Sequence, residues 1–212
     1  MIWEYTADGK VWQFHDNKQS STALFICEEI IQRDVYQLNS IELSPDDEVL
    51  DVGGNIGVFA NVVQNRFKCL VHSFEPTQES WEWSRLNRTL NGAQTDKIRC
   101  HNVAISKTGI DRITLGYLPH APGNSGKHEK GGISQTVAAN SLLAWIGEKT
   151  KFIKIDCEGE EYEILPEILP AIGHVPYLAV EAHPVPGDPG ARDRLRRLVE
   201  DQYAGKLIWL QA

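Results

Sequence analysis

From residue 48 onward, apolar runs of strand length alternate with segments of helical period, and this alternation constrains the fold more than any other feature of the chain. Val49-Leu50-Asp51-Val52 precedes a helical pattern over residues 56–66, and Cys69-Leu70-Val71-His72-Ser73-Phe74 precedes one over 78–91. Residues 98–105 read as a further strand. Phe152-Ile153-Lys154-Ile155 precedes a helix over 160–172, Tyr177-Leu178-Ala179-Val180 precedes one over 191–203, and 206–210 reads as a closing strand. Such alternation builds an α/β, Rossmann-like architecture, a mostly parallel central sheet with helices on both faces. Crossovers in it are right-handed, and ligands bind beyond the carboxyl ends of the strands, where strand order reverses. The residues just after each strand are therefore the ones to read for chemistry.

Two regions depart from the alternation. Residues 1–16 predict a hairpin about Asp8-Gly9, followed by a helix capped by Ser20, Ser21 or Thr22 that runs through Leu24, Ile26, Ile30, Ile31 and Val35 to Leu38. This predicts an N-terminal appendage over 1–46 and a main domain over 47–212. Residues 109–118 read as a β-extension. A loop over 119–135, rich in Gly, His, Lys and Ser, is expected to cover a substrate pocket with His120, Asn124, His128 and Lys130. A helix is expected from near Val137, carrying Leu142, Leu143, Trp145 and Ile146.

Five strand ends carry chemistry. Asp51-Val52-Gly53-Gly54-Asn55-Ile56-Gly57 opens a helix from a strand. Its glycines permit a tight turn and close ligand approach. They fall as G-G-x-x-G, not the G-x-G-x-x-G of a dinucleotide turn. An acidic residue at the strand end suits an ammonium, as in the methionine part of S-adenosylmethionine. About 20 residues further on, Phe74-Glu75-Pro76 places a carboxylate where two ribose hydroxyls are accepted. Asn102-Val103-Ala104-Ile105-Ser106 stands where backbone groups meet an adenine. Asp156 and Glu158 share a parity, as do Glu181 and His183, so each pair faces one side of its strand. Glu160 and Glu161 are accounted for by the dipole of the helix they begin.

In that order these stretches, together with Asn87 and Asn91, Gly109, and the block Phe152-Ile153-Lys154-Ile155-Asp156-Cys157-Glu158-Gly159-Glu160-Glu161-Tyr162, resemble the FkbM family of S-adenosylmethionine-dependent methyltransferases over residues 28–184. The resemblance implies the Rossmann-like class I methyltransferase fold and S-adenosylmethionine as cofactor. Contacts to it are expected from Asp51, Gly53, Gly54, Asn55, Gly57, Glu75, Pro76, Ala104 and Asp156. It implies O-methylation of sugars or other natural products. Gly54 stands where the family usually has Ala, a change expected to be harmless, and Asn140-Ser141-Leu142-Leu143 lacks the family's Thr-Leu-Asp.

An alcohol must lose a proton as it accepts a methyl group, and histidine suits that task at neutral pH. His183 is expected as the base, with Asp156 orienting it or the acceptor and Glu158 as a second candidate. A metal-assisted variant would use Asp156, Glu158, Glu181 and His183; the metal-free version is preferred. Net charge −8 and scattered basic residues argue against nucleic-acid partners. Arg192, Arg194, Arg196 and Arg197 read as a solvated helix face. The four cysteines form no C-x-x-C pair, and no apolar run is long enough for a leader or membrane span, which places the chain in the cytoplasm as an expectation. Oligomeric state is not legible, although the N-terminal hairpin and helix offer a homodimer surface. The competing readings are a nicotinamide-dependent oxidoreductase, which the glycine spacing disfavours, and a non-catalytic binding module using Trp81 and Trp83.

Overall fold

In a computed structural model, which describes residues 1–7, 9–16, 22–117 and 133–211, Ile2–Ala7 (β1) and Lys10–His15 (β2) form the expected hairpin, with Gly9 at φ +72° in its turn. Helix Thr22–Cys27 (α1) continues as a π-helical turn, Glu28–Gln32. Its first turn is satisfied by Asp16, which accepts the Ala23 N–H at 3.0 Å. Ser20 and Ser21 lie outside the described residues. The helix stops at Gln32, not Leu38, because the Asp34 carboxylate captures the N–H groups of Leu38 and Asn39 at 2.6 and 2.9 Å and holds the chain in a turn.

Downstream come strands Glu48–Val52 (β3), Leu70–Phe74 (β4), Ile98–His101 (β5), Ala104–Ser106 (β6), Arg112–Tyr117 (β7), Ile133–Ser141 (β8), Thr150–Ile155 (β9), Tyr177–Ala182 (β10) and Lys206–Gln211 (β11). Helices Val58–Phe67 (α2), Gln78–Asn87 (α3), Glu161–Ile168 (α4) and Ala191–Gln202 (α5) join them. Six strands form one parallel sheet in the order β11-β10-β9-β3-β4-β5. Strand order reverses between β3 and β9. Strand parity sorts the core into two layers: Val49, Val71, Phe152 and Ala179 pack with α2 and the N-terminal segment, while Leu50, Val52, Ile153, Ile155, Leu178 and Val180 pack with α4 and α5. Lys154 shares the parity of Phe152 and so points toward the N-terminal side.

Three further sequence expectations need correction. The stretch from Val137 is strand, not helix. Val137 and Ala139 are buried and Ala138 and Asn140 exposed, a period of two that lets β8 pair antiparallel with β7 and parallel with β6. The helical-looking leucines occupy one 3₁₀ turn, Leu142–Ala144, capped by Ser141. The strand over 98–105 is broken, because Asn102 donates to the Glu75 and Pro76 carbonyls at 3.0 and 3.1 Å and turns the chain out of the main sheet. Finally, α3 ends at Asn87. Asn87 and Asn91 bracket the open edge of β2 with their amides: Asn87 accepts the His15 N–H at 2.6 Å and donates to the His15 carbonyl at 3.0 Å, and Asn91 does the same for Gln13 at 2.8 and 2.8 Å. Trp83 is half-buried against the same segment and stacks on His15, and Trp81 donates its indole N–H to the Cys100 carbonyl at 3.1 Å. The loop over 119–135 lies outside the described residues except where 133–135 begin β8.

Candidate active site

Asp51, at the tip of β3, stands directly across from Ser73 on β4 and Lys154 on β9. Ser73 donates to it at 2.8 Å and the Lys154 ammonium lies 3.2 Å away. Lys154 also donates to the Gly53 carbonyl at 2.9 Å and lies 3.3 Å from Asp156. Burial alone would lower the Lys154 pKa; Asp51 and Asp156 reverse that and hold it well above its ordinary value, as an ammonium. A buried, paired cation thus ties the two central strand ends together at the switch point.

The glycine turn follows. Gly53 has φ +78°, and a Cβ there would stand 1.6 Å from the Asp156 carbonyl oxygen. A Cβ on Gly54 would meet Ser73 Oγ at 2.0 Å. Gly54 and the Ser73–Asp51 hydrogen bond thus occupy complementary space. Asn55 is left-handed at φ +46°, and its N–H donates to Glu75 at 2.9 Å. Glu75 also accepts the backbone N–H of Thr77 at 2.8 Å and the Thr77 hydroxyl. Burial raises the Glu75 pKa, and these hydrogen bonds oppose the rise. Gly53, Asn55, Glu75, Pro76, Ala104, Asp156 and Glu158 line a narrow cavity, whose far wall is built by Ile105, Ile113 and Leu115 of the small sheet.

A second cavity, of about 390 Å³, adjoins it and shares Gly53, Asn55, Asp156 and Glu158. Gly54, Lys154, Glu181 and His183 also face it, and its outer wall comes from the N-terminal segment: Phe25, Ile26, Glu29, Ile30 and Tyr36. The volume falls within the range of small-molecule sites. The sequence-predicted residues therefore converge, except that Asp51 and Gly57 line neither cavity. Gly57, at φ +84°, instead opens α2.

His183 is the best-organised side chain there. Its Nδ1 lies 2.7 Å from the fully buried Glu161 carboxylate, and its Nε2 faces Glu158 at 3.4 Å and Asp156 at 3.9 Å. Glu161 also accepts the N–H groups of Cys157 and Gly159 at 3.1 and 2.9 Å. A carboxylate receiving such donors is an acceptor only, so Nδ1 carries a proton and Nε2 is the nitrogen presented to the cavity. Tyr162 fixes the His183 backbone by donating to its carbonyl at 2.6 Å. Burial would lower the His183 pKa; the hydrogen bond and charge of Glu161, with Glu158 and Asp156, carry it up to about 9. Burial raises Glu158 to about 7, with Asp156, Glu161 and Glu181 adding to the rise and His183 opposing it. Glu158 itself sits at φ +56° beside Gly159 at φ +110°, an uncommon backbone conformation held at the cavity.

Sequence reasoning missed Glu161, assigned there to the helix dipole, although its place five residues past Asp156 turns it inward on the first turn of α4. It also missed Lys154, whose parity with Asp156 was the available signal. Tyr36, whose hydroxyl lies 3.3 Å from Asp156 and 3.4 Å from Glu181, left no signal, since its partners are more than a hundred residues away. Asp156, Glu181 and His183 bring ligand atoms within 4.8 Å of one another, as the metal-assisted variant requires. Lys154, 3.3 Å from Asp156, already supplies a cation there.

The two cavities suit S-adenosylmethionine. The glycine turn borders them, Gly53 lining both and Gly54 the second, a buried carboxylate waits at the second strand's end, and Asn55 Oδ1 is buried without a partner beside both cavities. Fold and site are those of a methyltransferase domain. The model of the methyltransferase FkbM domain matches residues 51–203, and the chain belongs to that family. Hexuronic acid methyltransferase AglP of Haloferax volcanii is 28% identical over 157 residues, which are 72% of this chain and 62% of that protein. The crystal structure of methyltransferase FkbM from Methylobacillus flagellatus superposes with a TM-score of 0.52 at 17% identity, covering 79% of this chain and 40% of that one. The chain thus spans less than two thirds of either relative. Among the described residues no helix is long and apolar enough to cross a membrane.

Proposed function

We propose that the chain transfers the methyl group of S-adenosylmethionine to a hydroxyl oxygen of a small molecule, a sugar or another natural product. The observation that carries this is the Glu161–His183 pair, with Nε2 presented to a cavity that adjoins the glycine turn. When bound, the cofactor supplies an activated methyl group for in-line displacement, so the protein's part is positioning and proton removal. The backbone of Gly53, Gly54 and Asn55 holds the methionine portion, with Gly57 shaping the turn and Asp51 acting through Lys154. Glu75 accepts the ribose hydroxyls, and Pro76 and Ala104 border the base. The neutral form of His183, with Glu161 holding its proton on Nδ1, takes the acceptor proton on Nε2, while Asp156 orients the acceptor. Glu158 is the second candidate for the base. Residues 47–212 form the methyltransferase domain proper, and residues 1–46 close its acceptor side with Phe25, Glu29 and Tyr36.

Calorimetric titration with S-adenosylmethionine, S-adenosylhomocysteine and NAD tests the cofactor half: the adenosyl ligands bind, NAD does not, and Glu75→Ala weakens binding. His183→Ala tests the chemistry. Turnover is expected to fall 10²-fold or more, the scale of a lost general base, with adenosyl binding retained. Unchanged turnover removes His183 from the mechanism.

A further inference from the structure

The acceptor-side cavity has an excess of negative charge. Glu29, Asp156, Glu158 and Glu181 face it; among the described residues lining it, the only basic side chains are Lys154 and His183. Both already face carboxylates of the site: Lys154 lies 3.3 Å from Asp156, and His183 Nε2 lies 3.4 Å from Glu158 and 3.9 Å from Asp156. Lys154 is held from behind by Asp51 and the Gly53 carbonyl, and His183 is held from behind by Glu161 at 2.7 Å. Arg33, whose guanidinium lies 6.0 Å from the Phe25 ring, is bound by Glu29 at 2.6 Å. Burial raises the Glu158, Glu181 and Glu29 pKa values, and for each the Asp156 charge adds to the rise, as expected of carboxylates short of counter-charge. A bound cofactor's sulfonium offsets one unit of this charge.

An acceptor bearing a carboxylate would bring a further anion among these groups, where the described residues offer it no unpaired cation. Leaving a charge unpaired in a half-buried site is an effective way to reject a ligand. A hydroxyl-bearing ring meets the opposite situation. Carboxylates accept hydrogen bonds from hydroxyls, and across the cavity Phe25, 57% exposed, stands with Ile26 and Ile30 as an apolar surface for the ring's carbon face. We infer that the acceptor is a sugar-sized polyol whose bound portion carries no negative charge, and that a uronic acid is excluded. This rests on the O-methyl transfer proposed above, and it separates this chain from the substrate named for the Haloferax relative.

The test uses a matched pair, a phenyl hexoside and the corresponding phenyl hexuronide, which differ only in CH₂OH against COO⁻. S-adenosylhomocysteine release is followed, and products are located by mass spectrometry. The expected result is a kcat/KM at least tenfold higher for the hexoside, with Glu181→Gln and Glu29→Gln each narrowing that ratio threefold or more by raising activity on the hexuronide. Equal or greater activity on the hexuronide overturns the inference, as does failure of both glycosides to react when S-adenosylmethionine binds. Methyl transfer to a nitrogen or carbon acceptor, with cofactor binding intact, defeats the underlying O-transfer reading instead.

Discussion

Replacing Glu161 by Gln isolates the partner that sets the behaviour of His183. In the native protein the His183 pKa of about 9 leaves only about one ring in a hundred unprotonated at pH 7. The hydrogen bond and charge of Glu161 are the two largest contributions holding it up, while burial continues to push it down. Glu161→Gln is therefore expected to lower the His183 pKa by about 1–2 units, or about 1.4–2.7 kcal/mol at 1.36 kcal/mol per unit. An NMR titration of the His183 ring in both proteins measures this directly. The pH profile of kcat/KM should follow, its rising limb moving to lower pH while its plateau falls, because Gln faces the Gly159 N–H with a donor and orients the ring less well. Stability supplies an independent readout. A histidine whose folded pKa is raised from 6.5 to about 9 contributes stability that is fully present below pH 6.5 and is lost as pH rises through 9, here about 3 kcal/mol. Wild-type protein should thus lose stability between pH 7 and 10 more steeply than the variant. A wild-type His183 titrating near 6.5, or an unchanged titration in Glu161→Gln, would refute the reasoning.

Other outcomes follow from the same geometry. Gly53→Ala places a methyl group against the Asp156 carbonyl at a positive φ, so adenosyl binding should be lost and the melting temperature should drop; native binding would show that the turn relaxes. His72 and His101, 3.1 Å apart between ring nitrogens and boxed by Phe74 and Trp145, are each lowered to about 4, mainly by burial. Their depressed values mean stability present above pH 6.5 and lost as pH falls toward 4. His72→Phe should accordingly flatten the urea-midpoint fall between pH 7 and 4.5, and a parallel fall in both proteins would count against this. Because Lys154 already sits beside Asp156, turnover should persist in excess chelator, and its loss with rescue by Mg²⁺ or Mn²⁺ would put a metal on Asp156, Glu181 and His183.

The alternation of strands and helices, the G-G-x-x-G turn, Glu75 and the parity pairs Asp156/Glu158 and Glu181/His183 were all legible in the chain. Each is a local pattern, set by the period of a strand or the steric freedom of a glycine. The helix expected from Val137 failed for the complementary reason: its apolar residues satisfy either period, and pairing with β7 and β6 decided between them. What only the tertiary structure decided is electrostatic and long-range. That Asp51 neutralises Lys154 rather than facing a cavity, that Glu161 grips His183, and that Phe25, Glu29 and Tyr36 wall the acceptor side all depend on which strand ends and which N-terminal turn are brought together. Burial and charge act through space, and the sequence order of these residues carries no record of those distances.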